Sequence, residues 1–198
     1  MIALSRVMFL VDGPTEIKAI NEKFAKEYGR TPALRRVGCN GKDVKPEGYV
    51  NAAFGTLIIA MSSVVTKIVC IIDREGRREE AVRFGGKVRE IAIQRIADSS
   101  HISKKELDNK ISVCVPDRMF ENWIVADING INTHKDLIKY GMMQKNYEGM
   151  CGVNVLKAIM KVPYKKTLHG PKLFKSVDFR RAKKNSASFK CFAETIGI

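Results

Sequence analysis

Acidic side chains stand at the ends of two short apolar runs. Arg6-Val7-Met8-Phe9-Leu10-Val11 stops at Asp12-Gly13-Pro14-Thr15-Glu16, and Lys67-Ile68-Val69-Cys70-Ile71-Ile72 stops at Asp73-Arg74-Glu75. Carboxylates brought to one place repel each other, and a hard divalent cation relieves that repulsion. Asp12, Glu16, Asp73 and Glu75 are therefore the candidate metal ligands and catalytic groups, with Mg²⁺ or Mn²⁺ as the cofactor. Glu16 follows Asp12 by one helical turn and can face the same crevice. Arg74, Arg77 and Arg78 surround the second acidic pair, either as its counter-ions or as contacts for phosphate. Asp–Gly is also a common turn dipeptide, so the pairing with Asp73, rather than the first motif alone, carries the reading.

These acids need strands to place them. Both runs are short, β-branched and bounded by turn residues, as buried strands are. Two more strands are expected at Ala33–Val37 and Ile111–Val115, the latter stopped by Pro116. Helices are expected from Pro14 to Tyr28, Val50 to Val65 and about Glu79 to Ala97. Strand–helix alternation with short loops predicts parallel βαβ units. If the first and third strands adjoin at the point where strand order reverses, Asp12 and Asp73 share one crevice. Beyond Pro116 the pattern is helical: Met119–Asp127, Asp136–Met143, Val153–Met160 and Ser188–Ile196. Gly38–Asp43 and Lys161–Lys175 read as exposed loops. The expected division is an α/β core over 1–118 and a helical, basic extension over 119–198 packed on it as one unit. Trp123 lies in an apolar helix and is expected to be buried. Glu121, two residues before it, reads either as a supporting carboxylate or as a surface group.

Charge is concentrated. The chain has 198 residues and a formal net charge of +14, of which +9 falls within residues 161–190. Ten Lys or Arg there, including Arg180, Arg181, Lys183 and Lys184, face one acid, Asp178. A basic block of this kind is an electrostatic footprint for nucleic acid, DNA or RNA, or else a solvated face. No apolar run reaches the roughly 18–20 residues that span a bilayer, so no membrane partner is expected. Five scattered cysteines and three scattered histidines lack zinc-ligand spacing and fit a reducing, cytoplasmic setting.

Val11-Asp12-Gly13-Pro14-Thr15-Glu16 resembles the first motif of the Toprim domain, in the form carried by OLD-family nucleases. Asp73-Arg74-Glu75 stands where that family has its second acidic motif. Glu121-Asn122-Trp123-Ile124-Val125-Ala126-Asp127 and Ser186-Ala187-Ser188-Phe189-Lys190-Cys191-Phe192 resemble small stand-alone Toprim-like proteins encoded beside ATPases in bacterial defence clusters. The chain has Asp12 where the family has Glu, and Glu75 where it has Asp. The resemblance implies a Toprim-like (Rossmann-like) parallel sheet of about four strands and a metal-dependent nuclease in anti-phage defence. The alternative is a catalytically degenerate adaptor that binds nucleic acid or a partner ATPase. No glycine-rich P-loop is present, so any ATP-driven step belongs to another protein. Homo-oligomerisation is left open.

Overall fold

A computed structural model of the chain describes residues 4–39 and 44–198. Its elements run β1 (Val7–Val11), α1 (Pro14–Tyr28), β2 (Ala33–Arg36), α2 (Pro46–Met61), β3 (Lys67–Ile71), α3 (Ala81–Ser99), α4 (Lys104–Lys110) and β4 (Ile111–Cys114). Helices follow: α5 (Phe120–Val125), α6 (Ile128–Ile131), α7 (Gly152–Ile159), α8 (Lys166–Phe174), α9 (Phe179–Asn185) and α10 (Ala187–Thr195). The four strands form one parallel sheet in the order β2-β1-β3-β4. This is the expected α/β, Rossmann-like architecture.

Period-two alternation in the central strands explains why both faces are covered. Val7, Phe9 and Val11 of β1 enter one core, with Val69 and Ile71 of β3; Met8 and Leu10 enter the other, with Ile68 and Cys70. The second core is closed by α2, α3 and α4 through Tyr49, Leu57, Phe84, Ile96 and Leu107. The first is closed by α1 and the C-terminal helices, through Ile20, Phe24, Trp123, Phe174, Phe189 and Phe192. Trp123 is fully buried, stacks on Phe192 with centroids 4.7 Å apart, and donates its indole N–H to Ser188 at 3.0 Å. Residues 119–198 therefore supply half of the sheet's covering. Among the described residues no helix is long and apolar enough to cross a membrane.

The helical pattern over 136–143 does not form a helix. Leu137 and Ile138 are buried side by side while Tyr140 is 99% exposed, which is no helical stripe. Ile138 instead forms an antiparallel bridge with Met160, and Gly141 takes a positive φ of 74°. The predicted loop over 161–175 is also corrected, because most of it is α8. Gly170 lets α8 approach α1: an added Cβ would stand 3.0 Å from Thr15 Cγ2. α4 and α9 were not anticipated; both are seven-residue, mainly charged helices begun by side-chain caps, Ser103 and Asp178. Of the predicted loop 38–43, only Gly38 and Cys39 lie within the described residues.

Asp127 is fully buried and holds the C-terminal helices together. It accepts from Gly130 N–H (3.1 Å), Asp178 N–H (2.6 Å) and both arms of Arg181 (2.7 and 2.9 Å). Replacing Arg181 with Met should cost about 2 kcal/mol or more, since a buried carboxylate loses a forked, charge-assisted partner. Chemical denaturation would measure it, and a loss under half that size would deny Asp127 this role.

Candidate functional site

The open crevice at the sheet's C-terminal edge, of about 270 Å³, is lined by Asp12, Glu16, Asp73, Glu75, Lys166, Arg36 and Cys39 among others. It follows directly from topology. β1 and β3 are neighbours in register, Val11 opposite Ile71, and strand order reverses between them. All four predicted carboxylates line this crevice.

Asp12 Oδ2 accepts the Asp73 N–H at 3.3 Å, which ties the two strand ends together. Asp73 is 6% exposed, and its Oδ1 accepts the Phe120 N–H at 2.8 Å where α5 begins. Glu16, 3% exposed, sits in the first turn of α1, where a negative charge suits the helix terminus. Its Oε2 lies over Gly13, where an added Cβ would stand only 2.8 Å away, so that glycine makes room for the carboxylate. Glu75 is half-buried at the rim, in the left-handed region with φ 53°.

Two participants were not singled out in the sequence. Lys166, the first residue of α8, points its ammonium among three carboxylates: Glu16 Oε1 at 3.4 Å, Asp73 Oδ2 at 3.7 Å and Glu121 Oε2 at 3.7 Å. Tyr164 donates its hydroxyl to Glu121 Oε1 at 2.9 Å. Glu121 is fully buried beyond the crevice lining, where it meets Lys166 and Tyr164, and is not a surface group. Lys166 was hidden in the sequence as one member of a basic block. A lysine two residues after a tyrosine and just before an amphipathic stretch was the available signal, and it is a weak one.

The turn before α8 is fixed by His169, whose Nδ1 accepts the Lys165 N–H at 2.9 Å. Burial, then Lys165 and Lys172, lower the His169 pKa, which favours the neutral ring that can accept this bond.

Electrostatics follow from crowding in a dry place. Burial is the main cause that raises the Asp12 pKa from an ordinary 3.8 to about 7; Glu16 and Glu75 add to it, while the Asp73 N–H and Arg77 oppose it. Asp73 is pushed well up, first by burial and then by Glu16, Glu121 and Asp12, with Lys166 opposing. Burial disfavours the Lys166 charge, but Asp73, Glu121 and Glu16 outweigh it and raise its pKa. Asp12 Oδ1, Glu16 Oε2 and Glu121 Oε2 are buried without a hydrogen-bond partner. Among the described residues, no three His, Cys, Asp or Glu side chains converge as ligands of one metal ion. The ammonium of Lys166 is the positive charge among Glu16, Asp73 and Glu121.

The predicted nucleic-acid cations separate into two groups. Arg74 is bound to the Asp117 carbonyl and pairs with its carboxylate at 3.7 Å. Arg77 donates to the carbonyls of Asp73, Arg74 and Val44 (each 2.9 Å) and lies over the Phe84 ring. Arg181 is held by Asp127. Arg78, Arg180 and Lys184 are exposed, while half-buried Lys183 donates to the Ile198 carbonyl at 2.7 Å. The first three brace the fold and its loops.

Comparison with known proteins gives no match: no protein-family model, no curated protein and no solved structure matches the chain.

Two outcomes test these electrostatics. A carboxyl whose folded pKa is raised stabilises the fold below its unfolded pKa, and that contribution is lost as pH rises through the folded value. For Asp12 the window runs from 3.8 to about 7. Asp12→Asn should therefore raise the melting temperature of metal-free protein above neutrality and change it little in acid, as thermal melts across pH would show. Lys166→Met should destabilise by roughly 1–2 kcal/mol, the exposure of that ammonium keeping the loss small. The loss should shrink in acid as the carboxyls protonate; a pH-independent loss would mean that only packing was removed.

Proposed function

We propose that this chain is a metal-dependent phosphodiester hydrolase acting on nucleic acid, of the Toprim-like kind its motifs resemble. The observation that carries the reading is the set of three buried carboxylate oxygens, on Asp12, Glu16 and Glu121, left without a donor at a topological switch point. Buried polar atoms normally find partners, and orphaned ones clustered in a crevice mark a site built for something it binds. All the donors are hard carboxylate oxygens, which fits Mg²⁺ or Mn²⁺. Asp12, Glu16 and Asp73 would hold the ion, with Glu75 at the rim and Glu121 in support; they do not converge on one point as they stand, so binding would require Lys166 to withdraw and these carboxylates to turn together. Such a cation activates water and neutralises phosphate charge.

The chain's own groups have definite parts in this scheme. In the metal-free site burial raises the Asp12 pKa to about 7; a bound cation would lower it and keep the carboxylate ionised as a ligand. Tyr164 fixes the orientation of Glu121, and His169 fixes the turn that presents Lys166. The Lys166 ammonium, partly exposed over the crevice, is placed to meet an incoming phosphate oxygen. A defence role beside an ATPase rests on the resemblance alone, and a cytoplasmic setting on the scattered cysteines.

One observation favours the adaptor reading: Lys166 already compensates Glu16, Asp73 and Glu121. In that reading the lysine replaces the metal for good, and the protein binds nucleic acid or a partner ATPase without cutting.

Incubation of pure protein with DNA and RNA, with and without Mg²⁺ or Mn²⁺, separates the two. The hydrolase reading expects metal-dependent cleavage that Asp73→Asn reduces by about a hundredfold or more. It also expects calorimetric Mn²⁺ binding that the same change abolishes. A protein that neither binds Mn²⁺ nor cleaves, alone or with its ATPase, is the adaptor.

A further inference from the structure

We propose that the substrate strand is held on a second surface: the groove between residues 144–148 and the α9–α10 pair. This rests on the nucleic-acid reading above and gives it a place. The groove is open, about 1040 Å³, and five cations from separate segments line it: Lys145, Arg180, Lys183, Lys184 and Lys190. Glu148 is the single acid among the lining residues.

What distinguishes the groove is that five cations from separate segments gather in it with few acids to pair with. In the same basic block Lys166, Lys172 and Arg181 are engaged by acids, while Lys161, Lys165 and Lys175, also without an acid partner among the described residues, lie outside the groove. In the groove, Lys145, Arg180 and Lys184 have no side-chain partner among the described residues. Lys183 bonds only a carbonyl, and Lys190 lies 4.0 Å from Glu194. Unpaired cations held close together repel one another, and a polyanion relieves that cost.

The floor is rigid, so the groove is ready before it binds. Gln144 accepts from Ile128 N–H at 2.8 Å, Asn146 accepts from Glu148 N–H at 2.9 Å, and Asn185 donates to the Ala126 carbonyl at 2.9 Å. The side chains that remain free are long cations, as a contact with phosphates rather than bases requires.

The groove is also tied to the crevice. Gly149, next to Glu148, donates to Asp117 Oδ2 at 2.5 Å, and Arg118 returns a bond to the Gly149 carbonyl at 3.2 Å. Arg74 then pairs with Asp117, and the Glu75 N–H donates to the Arg118 carbonyl at 2.5 Å. Hydrogen bonds and one ion pair thus link the rim of the basic groove to the acidic motif of β3. Five cations from separate segments along one open groove suit several successive phosphates, so the occupant proposed is a nucleic-acid strand.

The test is fluorescence anisotropy with labelled DNA and RNA oligonucleotides across a salt series, on full-length protein. The triple variant Lys145→Glu, Arg180→Glu, Lys184→Glu should weaken binding at least tenfold, equally for unrelated sequences. It should also flatten the plot of log affinity against log salt by about 2–3, one step for each lost phosphate contact. A control with the same charge change at exposed sites outside the groove, Arg30→Glu, Lys105→Glu, Lys157→Glu, should fall much less. Circular dichroism checks that both variants fold. If the two triples lose affinity equally, only net charge matters and the groove proposal is overturned. Cleavage by the wild type keeps the outcomes apart: groove-dependent binding in a wild-type protein that never cleaves with Mg²⁺ or Mn²⁺ leaves the groove standing and removes the hydrolase.

Discussion

Putting carboxylates into a dry crevice is costly unless something positive stands among them, and the site is arranged around that requirement. Asp73 and Glu121 are buried almost completely, and Glu16 nearly so. Each would lose several kcal/mol of hydration if it stayed charged and unpaired. Lys166 meets the need from one side, and the raised pKa values of Asp12 and Asp73 meet it from another, by letting the carboxyls hold protons. A bound cation would be a third solution. The crevice is therefore defined by charge compensation more than by shape.

That requirement explains why the C-terminal helices are not an accessory. The sheet alone supplies Asp12 and Asp73; Glu121 arrives on α5, and Lys166 with Tyr164 arrives at the start of α8. Those helices are positioned by the aromatic packing beneath them, where Phe120, Phe174, Trp123, Phe189 and Phe192 pack on one another and Phe192 lies against Phe9 of the central strand. Gly170 and Gly152 allow the close approaches that bring α8 to Thr15 and α7 to the Glu121 backbone. Bulk at either point would move the compensating charges away from the strand ends they serve.

The parts that the sequence made legible were those written locally. Short, β-branched apolar runs bounded by turn residues predicted β1 and β3, and a loop after each predicted Asp12 and Asp73 at neighbouring ends. Parallel strands joined by right-handed crossovers leave few other arrangements. Lys166 was illegible because its partners lie far away in sequence, at Glu16, Asp73 and Glu121; only the packing of α8 on α1 brings them together. The same is true of Arg181, which looks like any surface cation until Asp127 is found buried beneath it. The stretch 136–143 failed for a different reason. Its apolar residues matched helical spacing, but Gly141 and the bridge to Met160 gave the backbone a better partner.

Asp12 is the residue where compensation and chemistry meet. Its short side chain keeps Oδ2 within 3.3 Å of the Asp73 N–H, so the carboxylate closes the gap between strands instead of reaching over it. The other oxygen, Oδ1, is left buried without a partner. A glutamate there would carry both oxygens one bond farther from the strand end, give up the bond that ties β1 to β3, and face Glu16 at closer range. The cost of that repulsion falls on whichever cation is present. With Lys166 as the cation, its reach from α8 already takes in Glu16, Asp73 and Glu121 at 3.4–3.7 Å, and Asp12 is not among its partners. Asp12 is thus the carboxylate that Lys166 does not reach, which makes its orphaned oxygen the clearest physical distinction between a crevice closed by its own lysine and one that still calls for a metal.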